Sequence, residues 1–130
     1  MTKKLKPVIR TSPRFADLNM NGNIFGGWIL SQMDIAGGIT AARLAKGPVA
    51  TVAIEGMKFL RPVNVGDLVS CYAEIGKIGN TSVAVDVKVT AIRASERDAG
   101  EIREVRVTEG TFIFVALDEK GRPRPVKAKK

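Results

Sequence analysis

Residues 19–34 of the chain read NMNGNIFGGWILSQMD and form its most informative motif. An Asn/Gly-rich loop leads into the diglycine Gly26-Gly27, and a helix with one carboxylate, Asp34, on its first turns is predicted to follow. The first backbone N–H groups of a helix have no intrahelical acceptor, so a glycine-flanked helix start offers them to an incoming carbonyl. An acid close behind can activate water or attack. The motif therefore indicates acyl transfer, provided that Asp34 faces a cleft rather than solvent.

The predicted helix covers residues 27–45 and would be about 28 Å long. Apolar side chains recur there at three- and four-residue steps, which is the spacing of one helix face: Trp28, Ile29, Met33, Ala36, Thr40 and Leu44. The pair Gly37-Gly38 in its middle costs roughly 1–2 kcal/mol of helix propensity. We expect close approach by another backbone to be the reason for this pair. Gly47-Pro48 ends the helix.

Beyond the helix the apolar periodicity changes to two, which predicts strands at residues 49–60, 68–78, 83–90 and 105–118. Gly79-Asn80 is a hairpin signal, and the polar residues 95–101 are predicted to form a loop. With a short strand before the helix, the fold class is α+β. One helix covers only one face of such a sheet, so the other face or an edge is open to a partner subunit. We therefore expect a homo-oligomer.

The length of 130 residues predicts a single domain, residues 1–130, with about residues 7–126 ordered between basic tails. No apolar run follows the N-terminal lysines, and none approaches the length of a membrane span, so neither a signal peptide nor a membrane partner is expected. The lone Cys71 excludes an intramolecular disulfide and indicates a reducing, cytoplasmic location. Its expected role is that of a small buried strand residue.

The absence of histidine removes whole mechanisms. Neither a Ser-His-Asp nor a Cys-His arrangement is available, and no His- or thiolate-ligated zinc site can form, so no metal is expected. A general base must be Asp, Glu, Lys or Tyr.

The formal net charge is +8, and much of it lies near the two ends of the chain. We favour solvated basic tails; the alternative is a field that attracts a polyanionic ligand, such as a phosphate-bearing cofactor. Nucleic acid is not expected as a partner, because the chain has only seven aromatic residues and no recognisable reading element.

Several motifs together resemble one family, the hotdog-fold acyl-CoA thioesterases of the YciA type, which are related to brain acyl-CoA hydrolase. The resemblance covers roughly residues 8–126 and rests on residues 17–34, 52–67, 77–82, 111–116 and 121–122. It implies one long helix wrapped by a five- to six-stranded antiparallel sheet. It further implies sheets joined edge to edge in a dimer, commonly a trimer of dimers, with active sites at the dimer interface.

The resemblance also implies roles for the residues of the motif. Asp34 takes the position of the catalytic acid, as a general base for water or as a nucleophile. Asn19 matches a position that orients the thioester or the water from the opposite protomer, and an N–H of Gly26 or Gly27 would polarise the thioester carbonyl. The structural alternatives are a solvated carboxylate, a turn asparagine and a simple helix-start turn. For Glu55 the alternatives are a second acid and an interface ion-pair partner, and we favour the structural role.

For the CoA moiety, the resemblance points to the hairpin residues Gly79, Asn80, Thr81 and Ser82. Close relatives carry a basic residue where this chain has Asn80, which weakens a phosphate contact there. Other candidate phosphate partners are Lys58, Arg61, Arg122 and Arg124.

The expected function is hydrolysis of acyl-CoA to a free fatty acid and CoA, without a cofactor. A hotdog dehydratase or hydratase is a weak alternative, because those enzymes typically pair a histidine with an acid. A non-catalytic acyl-CoA-binding or regulatory module stays open, because it would carry the same pocket residues.

Overall fold

The computed structural model describes residues 5–93 and 103–127. One long helix packs against a five-stranded antiparallel sheet with the strand order β1-β3-β4-β5-β2. The elements are β1 (Ile9–Thr11), a 3₁₀ turn (Phe15–Asp17), α1 (Gly26–Ala45), β2 (Val49–Phe59), β3 (Leu68–Ile78), β4 (Ser82–Ile92) and β5 (Glu104–Ala116). The predicted α+β class and the predicted order of elements are confirmed. The loop expected at residues 95–101 lies outside the described residues, and the single-domain assignment stays a prediction.

The core lies between α1 and the inner face of the sheet. On β4, the four valines at alternate positions 83–89 are fully buried, while Asp86 and Lys88 point to the outer face and are exposed. From the helix, Met33 and Ala36 are fully buried against this surface. The alternation along β4 thus fixes which face of the sheet receives the helix.

The diglycine Gly37-Gly38 does permit a close approach, but by an aromatic ring. A Cβ on Gly37 would lie 3.0 Å from ring carbons of Phe114, whereas a Cβ on Gly38 would lie 3.7 Å from the same ring. The expectation that another backbone approaches here is wrong, since the neighbour is the side chain of a β5 residue that is 1% exposed.

These distances predict opposite outcomes for two alanine substitutions. Gly38→Ala is expected to raise the free energy of unfolding by about 0.5–1 kcal/mol, because alanine favours the helix and the methyl group makes an ordinary contact. Gly37→Ala is expected to be at least about 1 kcal/mol less stable than Gly38→Ala, because the ring of Phe114 must move. Urea unfolding at matched protein concentration measures the difference, and equal stabilities would contradict this packing argument.

Two strands form the edges of the sheet, the short β1 and the eleven-residue β2. On β2, the exposed side chains include Val52, Ile54 and Phe59, with exposed fractions of 59%, 39% and 56%. A long apolar edge strand has unpaired backbone groups along one side and is a template for pairing with another chain. The edge of β2 is therefore the surface on which a partner subunit is expected.

Candidate active site

Asp34 lies on the third turn of α1 and is half-buried. Its Oδ1 accepts a hydrogen bond of 2.5 Å from the Oγ1 of Thr51 on β2. Thr51 pairs across the sheet with the buried Phe114, so its side chain is on the inner face, under the helix. The carboxylate thus points toward the edge strand of the sheet rather than away from it.

Thr51 is the residue that sequence analysis missed. In the sequence it is a polar residue on the same side of the strand as Val49, among apolar side chains that face the core. A polar side chain at a core-facing strand position was the signal from which Thr51 could have been found. The register of β2 against β5 also shifts between Thr51 and Ala53, which bulges Val52 beside the pair. Such bulges often adjoin functional sites, where they redirect side chains.

The start of α1 has donors without partners. The N-cap residue Phe25 provides no side-chain cap, and the N–H of Trp28 donates to the carbonyl of Phe25 at 3.1 Å. The N–H groups of Gly26 and Gly27 have no acceptor among the described residues. They remain available to an oxygen that arrives from outside.

A cleft of about 320 Å³ opens beside this helix start. The ring of Phe59 lies against Gly26, where an added Cβ would be 3.5 Å from it. Most of the walls are apolar, so the free N–H groups of the helix start are the main hydrogen-bond donors that a carbonyl in this cleft would meet. The lining consists of Ile24, Gly26, Ile29, Phe59, Leu60, Arg61, Pro62 and Val63.

Asn19 holds the loop that precedes the helix. Its Oδ1 accepts hydrogen bonds from the N–H groups of Asn21 and Asn23, at 2.9 and 3.1 Å, and its own N–H donates to the carbonyl of Asn23 at 2.6 Å. The structure thus shows Asn19 as a turn residue. The turn uses only the side-chain oxygen of Asn19. The exposed side-chain NH₂ has no acceptor among the described residues and can serve a second purpose.

Asp34 and the helix start are not brought together within one protomer. Gly26 and Asp34 are eight residues apart on the same helix, which places them about 12 Å apart along its axis. One thioester cannot touch both, because an oxyanion donor must lie at roughly 3 Å from the reacting oxygen. The catalytic carboxylate and the oxyanion donors predicted from the sequence therefore belong to two separate positions on one chain.

The candidate CoA contacts fall into three regions. The Gly79–Ser82 hairpin and the C-terminal segment of Arg122 are joined, because Val126 N–H donates to the carbonyl of Asn80 at 2.8 Å and Ala116 N–H to that of Thr81 at 2.9 Å. Arg61 instead lines the helix-start cleft and donates to the carbonyl of Arg106 at 2.8 Å.

Lys58 occupies the third region, on the outer face of the sheet. There it shares a depression with the acidic side chains of Glu74, Asp86 and Glu109. The acidic surroundings make this a poor position for a phosphate group. Glu55 lies on the same outer face, exposed and opposite Thr111, and its structural role stays a prediction.

Two other groups are excluded from the chemistry. Cys71 is fully buried, and burial raises the pKa of its thiol to about 12, so the nucleophilic thiolate is suppressed. The expected buried strand role of Cys71 is confirmed. The buried carboxylate of Asp67 accepts a hydrogen bond from Asn64 N–H at 2.8 Å and pairs with Arg93, which identifies it as a structural anchor.

Within residues 5–93 and 103–127, no group of three or more His, Cys, Asp or Glu side chains is arranged to hold a metal ion. Nor does this part of the chain contain a helix with the length and apolar character of a membrane span.

Comparison with known proteins gives the family. The model of the thioesterase superfamily matches residues 21–94. The acyl-CoA thioester hydrolase YciA of Salmonella typhimurium is 49% identical over 119 residues, covering 92% of this chain and 88% of the relative. The chain therefore belongs to the thioesterase superfamily, as a hotdog-fold member of the YciA type.

Solved structures agree with this assignment. A hexameric thioesterase from Yersinia pestis superposes with a TM-score of 0.87 at 42% identity. The match covers 98% of this chain and 100% of that chain. A hexameric hotdog fold thioesterase of Campylobacter jejuni has a TM-score of 0.87 at 38% identity, covering 93% of this chain and 90% of that chain.

Proposed function

We propose that this protein hydrolyses acyl-CoA thioesters to a free fatty acid and CoA, with Asp34 as the catalytic acid. The observation that carries the proposal is the position of the Asp34 carboxylate, held by Thr51 at the open edge of the sheet. Asp34 removes a proton from water as that water attacks the thioester carbon, or it attacks this carbon itself. In either case the C–S bond breaks and CoA leaves as the thiolate. Attack by Asp34 itself leaves the acyl group on the carboxylate as a mixed anhydride, which water then hydrolyses to the free fatty acid and the regenerated Asp34.

The donors at the helix start supply the second requirement of this reaction. As the thioester carbonyl becomes tetrahedral, negative charge develops on its oxygen. The N–H groups of Gly26 and Gly27 stabilise this charge in our proposal, which is supported by their lack of an acceptor among the described residues. Loss of one such donor typically raises the barrier by about 3–4 kcal/mol. Neither a metal nor a cofactor has a role in this scheme.

The separation of about 12 Å along α1 requires a second copy of the chain. In a dimer formed along β2, Gly26 and Asn19 of one protomer would complete a site with the Asp34 of its partner. The exposed apolar side chains Ile35 and Val52, neighbours in sequence of Asp34 and Thr51, support burial of this region. The homo-oligomer is thus at least a dimer, and the hexameric relatives favour a trimer of dimers.

For CoA, the joined region of the Gly79–Ser82 hairpin and Arg122 is the better supported contact, ahead of Arg61 and Lys58. The hairpin is closed by a hydrogen bond of 2.8 Å from Gly79 N–H to the carbonyl of Ser82. The position where a Cβ of Gly79 would stand lies 2.6 Å from Ser82 Oγ, so the hydroxyl of Ser82 packs closely over the glycine. The buried free thiol of Cys71 supports the proposed cytoplasmic location.

A panel of acyl-CoA substrates of increasing chain length tests the proposal, with released CoA detected by a thiol reagent. We expect turnover on at least one chain length, and the buried Cys71 should add little background. Binding of CoA by calorimetry is measured on the same sample. Binding without turnover on any chain length would contradict hydrolysis and favour the non-catalytic module.

A further inference from the structure

The pair Gly26-Gly27 at the start of α1 is not required by the backbone conformation. Neither glycine is among the residues with a positive φ, and both have the helical conformation. Alanine stabilises a helix more than glycine does, so the conformation alone would favour alanine at both positions. The reason for the pair therefore lies in the side chains around it.

Two phenylalanine rings occupy the space beside the two glycines. An added Cβ on Gly27 would lie 3.3 Å from ring carbons of Phe25, and one on Gly26 would lie 3.5 Å from ring carbons of Phe59. The first distance is shorter than an ordinary contact between carbon atoms, and the second is ordinary. Beside Gly26 there is thus room for one methyl group, and beside Gly27 a methyl group fits only if the ring moves.

Both rings can contact a ligand, because they are partly exposed while their backbones are anchored in the fold. Phe25 is 40% exposed, and its N–H donates to the carbonyl of Asp17 at 3.1 Å. Phe59 is 56% exposed, lines the cleft at the helix start and ends β2, where it pairs with Thr108. The free N–H groups of the diglycine are therefore flanked by two aromatic side chains.

The α-carbon of a bound acyl group would enter this confined space. A carbonyl oxygen held by the N–H groups of Gly26 and Gly27 lies roughly 3 Å from their nitrogens, and the α-carbon is two bonds away from that oxygen. The cleft beside Phe59 is mostly apolar, which suits an alkyl chain better than the amide-bearing pantetheine arm. A straight chain continues from the α-carbon with one carbon substituent, whereas an α-branched chain needs room for a second.

We infer that Phe25 and Phe59 select acyl groups that are unbranched at the α-carbon. This inference rests on the proposed function, because that function places the thioester carbonyl at Gly26 and Gly27. A methyl branch on the α-carbon meets a ring, as a Cβ on Gly27 would. Overpacking of a confined site by one methyl group disfavours the branched substrate.

Butyryl-CoA and isobutyryl-CoA test the inference, because their acyl groups contain the same atoms and differ only in the α-branch. Wild type should hydrolyse butyryl-CoA with a kcat/KM roughly tenfold above that for isobutyryl-CoA. In Phe25→Leu and in Phe59→Leu this ratio should fall at least about threefold, because leucine leaves more room beside the glycines. Phe15→Leu is the matched control. Phe15 is 78% exposed on the 3₁₀ turn and does not line the cleft, so its replacement should leave the ratio unchanged.

Calorimetric binding of two ketone analogues separates this inference from the proposed function, because it needs no hydrolysis. In these CoA derivatives a methylene group separates the sulfur from the carbonyl, which carries either a straight propyl or a branched isopropyl group. Tighter binding of the propyl ketone to wild type, by roughly tenfold, and a smaller preference in the two ring variants support the inference even if no thioester is hydrolysed.

Equal binding of the two ketones to wild type would overturn the inference, as would a preference that persists unchanged in both Phe25→Leu and Phe59→Leu. An equal loss of preference in Phe15→Leu would also overturn it, because that result indicates a general loosening of the chain rather than contact between the substrate and the two rings.

Discussion

Replacing Asp34 by alanine is expected to lower kcat for acyl-CoA hydrolysis at least about a hundredfold, the usual contribution of a general base. Among the described residues of α1 and β2, Asp34 is the one acidic residue on the inner side of the sheet edge. Its carboxylate accepts a hydrogen bond from Thr51. KM should change much less, because the variant keeps the candidate CoA contacts of the Gly79–Ser82 hairpin and the helix-start donors. Alanine is a strong helix former, so the helix itself should persist. Steady-state kinetics with released CoA as the readout measures both constants.

The chain offers a matched control in Asp86. Its Oδ1 accepts a hydrogen bond of 2.7 Å from the Oγ1 of Thr111, which is the same kind of pair as Asp34 with Thr51. The control pair lies on the outer face of the sheet, away from the helix, so Asp86→Ala should keep near wild-type kcat. Near wild-type turnover in Asp34→Ala would refute the catalytic assignment. Equal losses in both variants would show that a Thr–Asp pair matters for folding rather than for chemistry.

The helix and the strands were predictable because burial imposes a period on each of them. On α1 the three- and four-residue steps placed Ile29, Met33 and Ala36 correctly on the buried face, and residues 27–45 differ from the observed Gly26–Ala45 by one position. Leu44 was placed wrongly, since it is 37% exposed. On β4 the alternate valines were sufficient to choose the buried face. Both signals are local, so a single sequence contains them.

The contacts between elements were not predictable in the same way. The hydrogen bond from Thr51 to Asp34 joins residues 17 apart, and it depends on how the helix is rotated over the strand. The approach of the Phe114 ring to Gly37 depends on the same docking. Motif residues that looked like one CoA site, Lys58 and Arg122 among them, lie in separate depressions. Periodicity predicts which face of its helix or strand a residue lies on. It does not predict which residue of the neighbouring element that residue contacts.

Activity should reappear when two inactive variants are combined, if each site takes Asn19 from one protomer and Asp34 from the other. Asn19→Asp is the suitable partner for Asp34→Ala. The aspartate keeps the Oδ1 that accepts from Asn21 and Asn23, so the loop is retained, while the NH₂ donor is lost. We expect Asn19→Asp alone to lower kcat roughly a hundredfold, the scale for loss of an oriented side-chain donor.

Co-refolding equal amounts of the two variants should restore about a quarter of wild-type activity, because half of the dimers are mixed and each mixed dimer has one intact site. The other site of that dimer carries both substitutions. Purification through two different affinity tags, one on each variant, should double the recovered fraction for separate dimers. For a trimer of dimers it should leave the fraction at about a quarter, because almost every randomly assembled hexamer carries both tags. If both residues instead acted within a single protomer, every site would keep one substitution. Activity would then stay at the sum of the two inactive variants, and the shared site proposed from the 12 Å separation along α1 would be refuted.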